Sequence, residues 1–383
     1  MNETRRSNPA VLWVALAVGG VGVIHAYSGA GPERFWANWL LWFIFLFTIA
    51  LGSLFIVALE HLVNAKWSVP IRRIPERLAT LLIPVVPIGL VALGAVPVLY
   101  PGARPEALQN KILAGKAFWL SLPFFSARTM VCFALCLLGL VVLVRGSMKQ
   151  DATKDPAFNV RARKFAPAFM AIFAVVITLV AFDWISGLTP EWYSDIFGVY
   201  LFAGAFLAGL GATSLSVLHL KRLGRLDGVR DDHLYNLGGF MFAFTVFWSY
   251  IGFAQYMLMW YANLPEEVIY FRVRLEGAWH LVTLSLAFFH FVLPFFVLVT
   301  RDAKGDAGRL RIVALLMLGA HLLDLYWLIF PALGSTPPLG WPELSFAVFF
   351  LSFGLLWVRG AMQQGEDMPV GDPFLTAGLE FHL

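Results

Sequence analysis

Polar residues withdraw from long stretches of this chain and return in short clusters, and the length of those stretches is that of a membrane crossing. Spanning the hydrocarbon takes about 20 apolar residues. Ten runs meet that length, near residues 10–28, 36–60, 78–99, 118–145, 166–187, 195–219, 236–262, 277–300, 310–331 and 343–361. The pattern predicts an all-α polytopic membrane protein with ten transmembrane helices. An even number of crossings returns both termini to one side.

Short motif matches group the ten runs. Run 2 ends in GSLFIVALEH (52–61) and run 6 in TSLSVLH (213–219), each with a histidine at the membrane edge. Runs 4 and 8 open on an aromatic after glycine, GKAFW (115–119) and EGAWH (276–280). Runs 5 and 9 place an acid shortly before tryptophan, FDWI (182–185) and LDLYW (323–327). The order predicts two four-helix bundles, helices 2–5 and 6–9, with helices 1 and 10 peripheral, a repeat of the kind that often builds a site in each half. The corresponding units are a tail and first helix (1–35), a first bundle (36–187), a second bundle (188–331), and a last helix with its tail (332–383).

Composition narrows the class. The chain is 59% hydrophobic and 14% charged, where soluble domains carry about 25% charge. Of the 28 Lys and Arg residues, 21 lie in terminus-side segments, Arg5 and Arg6 among them, and six in the opposite loops. That bias predicts cytoplasmic termini. The net charge of +4 is then a topological address, with no nucleic-acid partner implied. The opening segment MNETRRSNPAVLWVALAVGGVGVIHAY matches a signal peptide only loosely and reads as a retained first helix. Cys132 and Cys136 are the only cysteines, both inside run 4, so the chain offers no iron–sulfur, covalent-haem or other metal motif. No lysine falls inside a hydrophobic centre, which removes a buried Schiff-base amine.

The candidate chemistry is the set of ionisable groups in the apolar runs, where such residues default to functional roles. Glu276, His280, Thr283 and His290 follow helical spacing and predict one polar stripe on helix 8 from the outer surface to mid-membrane. Pro294 on the same face would free the carbonyl of residue 290. His321 and Asp324 share a face of helix 9. Arg128 is the one basic residue in the middle of a run, and Asp183, Glu60 or Asp324 could balance it. Its fixed charge would tune His290, His321 and Asp324. His25, His61 and His219, at membrane edges, read as structural. The aromatic groups WSY (248–250) and QYMLMWY (255–261) read as interfacial belt and packing. PEEVIYFRVR (265–274) reads as an outer amphipathic piece that touches a partner. Three classes fit these residues: a proton-relay or quinone-handling respiratory subunit, a b-type haem anchor with His290 and His321 as axial ligands, and a proton-coupled transporter.

Two stretches carry a resemblance. VAFDWISGLTPEWYSDIFGVY (180–200) and FWSYIGFAQYMLMWYANLPEE (247–267) resemble the second NrfD/polysulfide-reductase-like membrane subunit, of the ActF type, in alternative complex III. The likeness extends from about helix 2 through helix 10. It implies a subunit of a bacterial inner-membrane quinol:cytochrome c, or other periplasmic acceptor, oxidoreductase. It also implies a homologous NrfD-like partner that oxidises quinol, an iron–sulfur subunit and multihaem cytochrome c subunits. Haem and iron–sulfur clusters would then lie only in those partners, and this subunit would contribute scaffolding and a transmembrane proton path. The alternative is direct binding of quinone or menaquinone, and Asp183, Gln255 and Tyr256 match the family pattern for it. The resemblance assigns no role to His290 or His321.

Overall fold

The computed structural model describes residues 9 to 383. Arg5 and Arg6 of the charge count lie outside them. The described chain is all-helical, and ten helices are long and apolar enough to cross a membrane. They are α1 (Ala10–Gly29), α2 (Pro32–Leu62), α3 (Arg73–Leu99), α4 (Leu122–Thr153), α5 (Ala157–Leu188), α6 (Phe197–Arg222), α7 (Asp231–Ala262), α8 (Trp279–Leu298), α9 (Ala307–Leu333) and α10 (Trp341–Ala361). Each corresponds to one predicted run. Helices α3 and α5 begin earlier than hydropathy suggests, because Arg73, Arg77, Arg161 and Arg163 continue the helix beyond its apolar part. The side that carries the chain ends is called the terminus side below, and the other the far side.

Local chemistry sets the breaks. Gly31 takes φ +81° between α1 and α2, and Pro32 then starts α2 at a position that needs no amide donor. Asn263, at φ 49°, closes α7, and Pro265 opens a short far-side helix, Pro265–Leu275. Gly277, at φ +55°, separates that helix from α8. Three π-helical stretches interrupt the spans, at Leu140–Arg145, Ala181–Ile185 and Ala287–Val292. The second holds Asp183 and the third His290. Such bulges widen a turn and are frequent at functional sites.

Packing is organised around α2 and α6. Of the apolar window of α2, 94% is buried, against 17% for α1. Helix α2 packs on α3, α5, α6, α9 and α10, and α6 packs on α2, α5, α7 and α9. The pairs α4–α5 and α8–α9 complete the two groups, while α1 lies along α10. At the α2–α6 crossing two glycines let the backbones touch. A methyl on Gly209 would sit 2.7 Å from the Gly52 carbonyl carbon, and one on Gly52 would collide with the Ala205 carbonyl. This is the small-residue contact that substitutes for a hydrophobic driving force in lipid.

On the terminus side, several bases of the charge count are buried in an ion network. Arg72 pairs with Asp372 at 2.7 Å, and Arg73 with Glu76 and Asp151 at 2.5 Å each. Arg77 pairs with Asp367 at 3.0 Å and donates to the carbonyls of Met362, Gln364 and Glu366. Arg225 reaches Asp367 at 2.6 Å. The C-terminal tail therefore straps α3, α4 and α6 together, so these arginines act as structural ties as well as an address.

Crowding the α2–α6 crossing should be costly. Gly52→Leu is expected to destabilise the protein by about 2 kcal/mol, the usual scale of overpacking. Gly319→Leu on α9, where nothing lies within 4 Å of the added carbon, should leave thermal unfolding in detergent unchanged. Equal melting of the two variants would contradict the close contact.

Candidate functional site

Asp183 of α5 and Asp324 of α9 are both buried, and their partners differ. Asp183 lies in the π turn of α5. It accepts from Arg128 Nε at 2.9 Å through Oδ2, and from Arg128 Nη2 at 3.0 Å through Oδ1. Trp119 Nε1 adds a third donor at 2.9 Å. The Arg128 guanidinium lies 4.0 Å from the Trp119 ring centroid and 4.5 Å from that of Phe124. Paired on both oxygens and enclosed by aromatic faces, this is a neutral, closed ion pair. It settles the choice of counter-ion, since Glu60 lies near Arg72 instead. It also corrects one expectation: Arg128 belongs to the first bundle and is held by Asp183, so it does not sit among His290, His321 and Asp324. Asp183 accepts three donors across its two oxygens.

Asp324 is buried in the second bundle and has no basic partner within ion-pair distance among the described residues. Two neutral donors face it, Tyr200 Oη at 2.6 Å on Oδ1 and Trp248 Nε1 at 3.3 Å on Oδ2. One turn toward the terminus side, His321 Nε2 meets Thr48 Oγ1 of α2 at 2.8 Å. Thr48 Oγ1 also lies 2.8 and 3.0 Å from the carbonyl oxygens of Ile44 and Phe45 on its own helix. His321 Nδ1 has no partner. Helix α6 passes beside it at Gly204, where a methyl would sit 2.9 Å from His321 Nδ1 and 3.8 Å from Asp324 Oδ2. Glycine thus brings a helix backbone against both groups at once.

His290 is fully buried in the π turn of α8, with both ring nitrogens unpartnered. The Trp248 ring stacks on it at 3.8 Å. Trp248, only 6% exposed, therefore links His290 to Asp324. Within WSY, Trp248 serves as packing while Tyr250 is exposed. The packing of α8 against α7 and α9 gathers His290, Trp248, Asp324 and His321 into one polar cluster in an apolar bundle.

The predicted stripe on helix 8 does not form. Glu276 precedes the Gly277 break, is exposed and pairs with Arg272 at 2.8 Å. His280 is exposed. The buried line on α8 runs instead through Trp279, Leu286 and His290. Uniform 3.6-residue counting fails here because a glycine ends the preceding helix and a π turn adds a residue before His290. Thr283 is half-buried and structural: it donates to the Arg274 carbonyl at 2.6 Å and accepts from Trp327 Nε1 at 2.8 Å.

Gln255 lies on α7, buried with Oε1 unpartnered, and Tyr256 packs edge-on to Phe271 at 5.3 Å. A cavity of about 160 Å³ opens on the far side between the bundles, lined by Glu33, Ala37, Leu99, Arg104, Leu188 and Ile329 among others. None of the three quinone candidates borders it. The short helix Pro265–Leu275 turns Tyr270, Phe271 and Arg274 onto the bundle of its own chain. Burial raises the pKa of the Tyr270 phenol and lowers that of the Arg274 guanidinium. Sequence reasoning missed Thr48, Tyr200, Gly204 and Trp248. Only Thr48, a hydroxyl deep in an oily run, left a visible signal.

Fold and site together define a polytopic helical membrane protein whose second bundle encloses an acid without a counter-charge. No protein-family model matches the chain, and no curated protein does.

The two acids should respond unequally to neutralisation. Asp183→Asn strands a buried guanidinium and should cost about 3–5 kcal/mol, largely recovered by the double change Asp183→Asn with Arg128→Met. Asp324→Asn keeps an acceptor for Tyr200 and should cost about 1 kcal/mol, the scale of one hydrogen bond. Thermal unfolding of the purified variants ranks them, and the reverse order would refute the assignment of a structural and a free acid.

Proposed function

We propose that this chain is a membrane subunit of a bacterial quinol:acceptor oxidoreductase of the alternative complex III type. In this reading it scaffolds the quinol-oxidising NrfD-like partner and carries part of a proton path through its second bundle. The single observation that supports the path is the environment of Asp324. It is a buried carboxyl with no cation, hydrogen-bonded to Tyr200 and Trp248 and next along α9 to His321, whose Nδ1 is free. An acid placed so can take up and release a proton without breaking an ion pair, and His321 is a neighbour able to exchange it. The positive-inside bias supports cytoplasmic termini in the inner membrane. The first bundle, with its closed Arg128–Asp183 pair, supplies the scaffold.

Haem ligation by His290 and His321 finds less support. His321 Nε2 is engaged by Thr48, and the face of His290 is covered by Trp248 at 3.8 Å. Direct quinone binding by Asp183, Gln255 and Tyr256 rests on the resemblance alone, since Asp183 is closed off by Arg128.

Two measurements test the reading. An affinity-tagged chain taken from native membranes should bring with it c-type haem and quinol:acceptor activity, and its recovery as an isolated polypeptide would count against the complex. In that assembly reconstituted into vesicles, Asp324→Asn and His290→Asn should leave subunit content intact while slowing or uncoupling turnover. Unchanged turnover together with unchanged proton release in both variants would end the proton-path proposal.

A further inference from the structure

The far end of the second bundle is closed by a layer built around a charge that nothing neutralises. Arg274 is 2% exposed, yet no carboxylate lies within ion-pair distance of it among the described residues. Its guanidinium donates only to backbone carbonyls: Trp327 at 3.2 Å, Leu328 at 3.1 Å and Tyr270 at 2.7 Å. It lies 3.5 Å from the Tyr270 ring centroid and 5.1 Å from that of Trp327. Trp192 stacks on Tyr270 at 3.7 Å, extending the layer across the loop after α5. Thr283 ties α8 into the same layer through Trp327 Nε1 and the Arg274 carbonyl.

The position of the charge gives it a consequence. Trp327 and Leu328 follow Asp324 by three and four residues on α9, so the carbonyls that hold Arg274 lie about one helical turn, roughly 5 Å, along the helix beyond the acid on its far side. A guanidinium does not deprotonate in a protein. Arg128, also buried in mid-span, has its charge answered by Asp183. Arg274 has only carbonyl dipoles and aromatic faces, which orient it but leave its positive charge in place. A proton leaving Asp324 toward the far surface would have to pass this charge in a water-poor layer, and fixed arginines exclude protons and cations from membrane pores in this way.

We propose that Arg274 is an electrostatic plug that seals the far end of the second bundle, so that Asp324 exchanges protons with the far side only when the short helix Pro265–Leu275 is displaced. The inference rests on the reading of Asp324 as a proton-path residue. It makes Arg274 a positioning residue that controls direction, and it makes the short helix the movable element through which a partner on the far side could open the path.

The experiment is passive proton entry into vesicles that contain the intact assembly, driven by a potassium–valinomycin potential and read with an internal pH dye. Wild type should be nearly as tight as protein-free vesicles. Arg274→Gln, which keeps amide donors but removes the charge, should leak at least tenfold faster, and Arg274→Lys should stay tight. Adding Asp324→Asn to Arg274→Gln should restore tightness. A tight Arg274→Gln overturns the plug, and so does a Lys variant that leaks as much as the Gln variant, because then only carbonyl capping matters. A leak that survives Asp324→Asn overturns it too, and counts against the path itself. A tight Arg274→Gln alongside altered coupled proton release in Asp324→Asn would remove the plug and leave the path standing. Should Arg274→Gln fail to assemble, Tyr270→Glu places a carboxylate beside the retained guanidinium and must produce the same leak; tightness there overturns the proposal equally.

Discussion

A charge that cannot reach water has to be answered within the chain, and most of this structure is arranged around that requirement. In the low-dielectric interior of a helical bundle the cost of an unanswered charge exceeds that of any single packing defect. The first bundle answers Arg128 with both oxygens of Asp183 and walls the pair with aromatic rings. The terminus side answers Arg72, Arg73 and Arg77 with acids drawn from α3, α4 and the C-terminal tail. These pairs determine which helices are neighbours. Asp324 and Arg274 stand out because they do not obtain the same answer.

The contrast between the bundles is informative because their architecture is shared. Each contains an acid near a tryptophan on its last helix, and each has a π turn beside an ionisable group. In the first bundle the acid itself lies in the widened turn and is locked by a cation from the facing helix. In the second, the widened turn presents His290, and the acid on the next helix receives only a phenol and an indole. The same residue type is thus held by a guanidinium in one place and by neutral donors in the other.

The spans were legible because about 20 apolar residues are required whatever the packing, and all ten appear in the structure. His321 and Asp324 were legible as a pair because three residues on an uninterrupted helix always share a face. The stripe from Glu276 was misread because periodicity assumes an unbroken helix, and neither the left-handed Gly277 nor the π turn at 287–292 has a hydropathy signature. The partners Tyr200, Trp248 and Gly204 were hidden for another reason: they come from α6 and α7, and a single sequence does not state which helices touch. Aromatic residues are common at membrane interfaces, so Trp248 carried no mark that separated it from Tyr250. Arg274 sat in a segment read as surface, where a buried face three to four residues wide is too short to stand out.

Close backbone contact is what allows the site to exist. Helix α6 meets α2 through Gly209 and Gly52, and toward the far side, at Gly204, the same helix meets α9. Without side chains at these points α6 lies flat between the two bundles. Thr48 of α2 can then reach His321 of α9 across the boundary between them. That contact engages His321 Nε2 and leaves Nδ1 without a partner. The α2–α6 crossing therefore belongs to the site as much as to the fold: a shift of α2 against α6 and α9 would draw Thr48 away from His321.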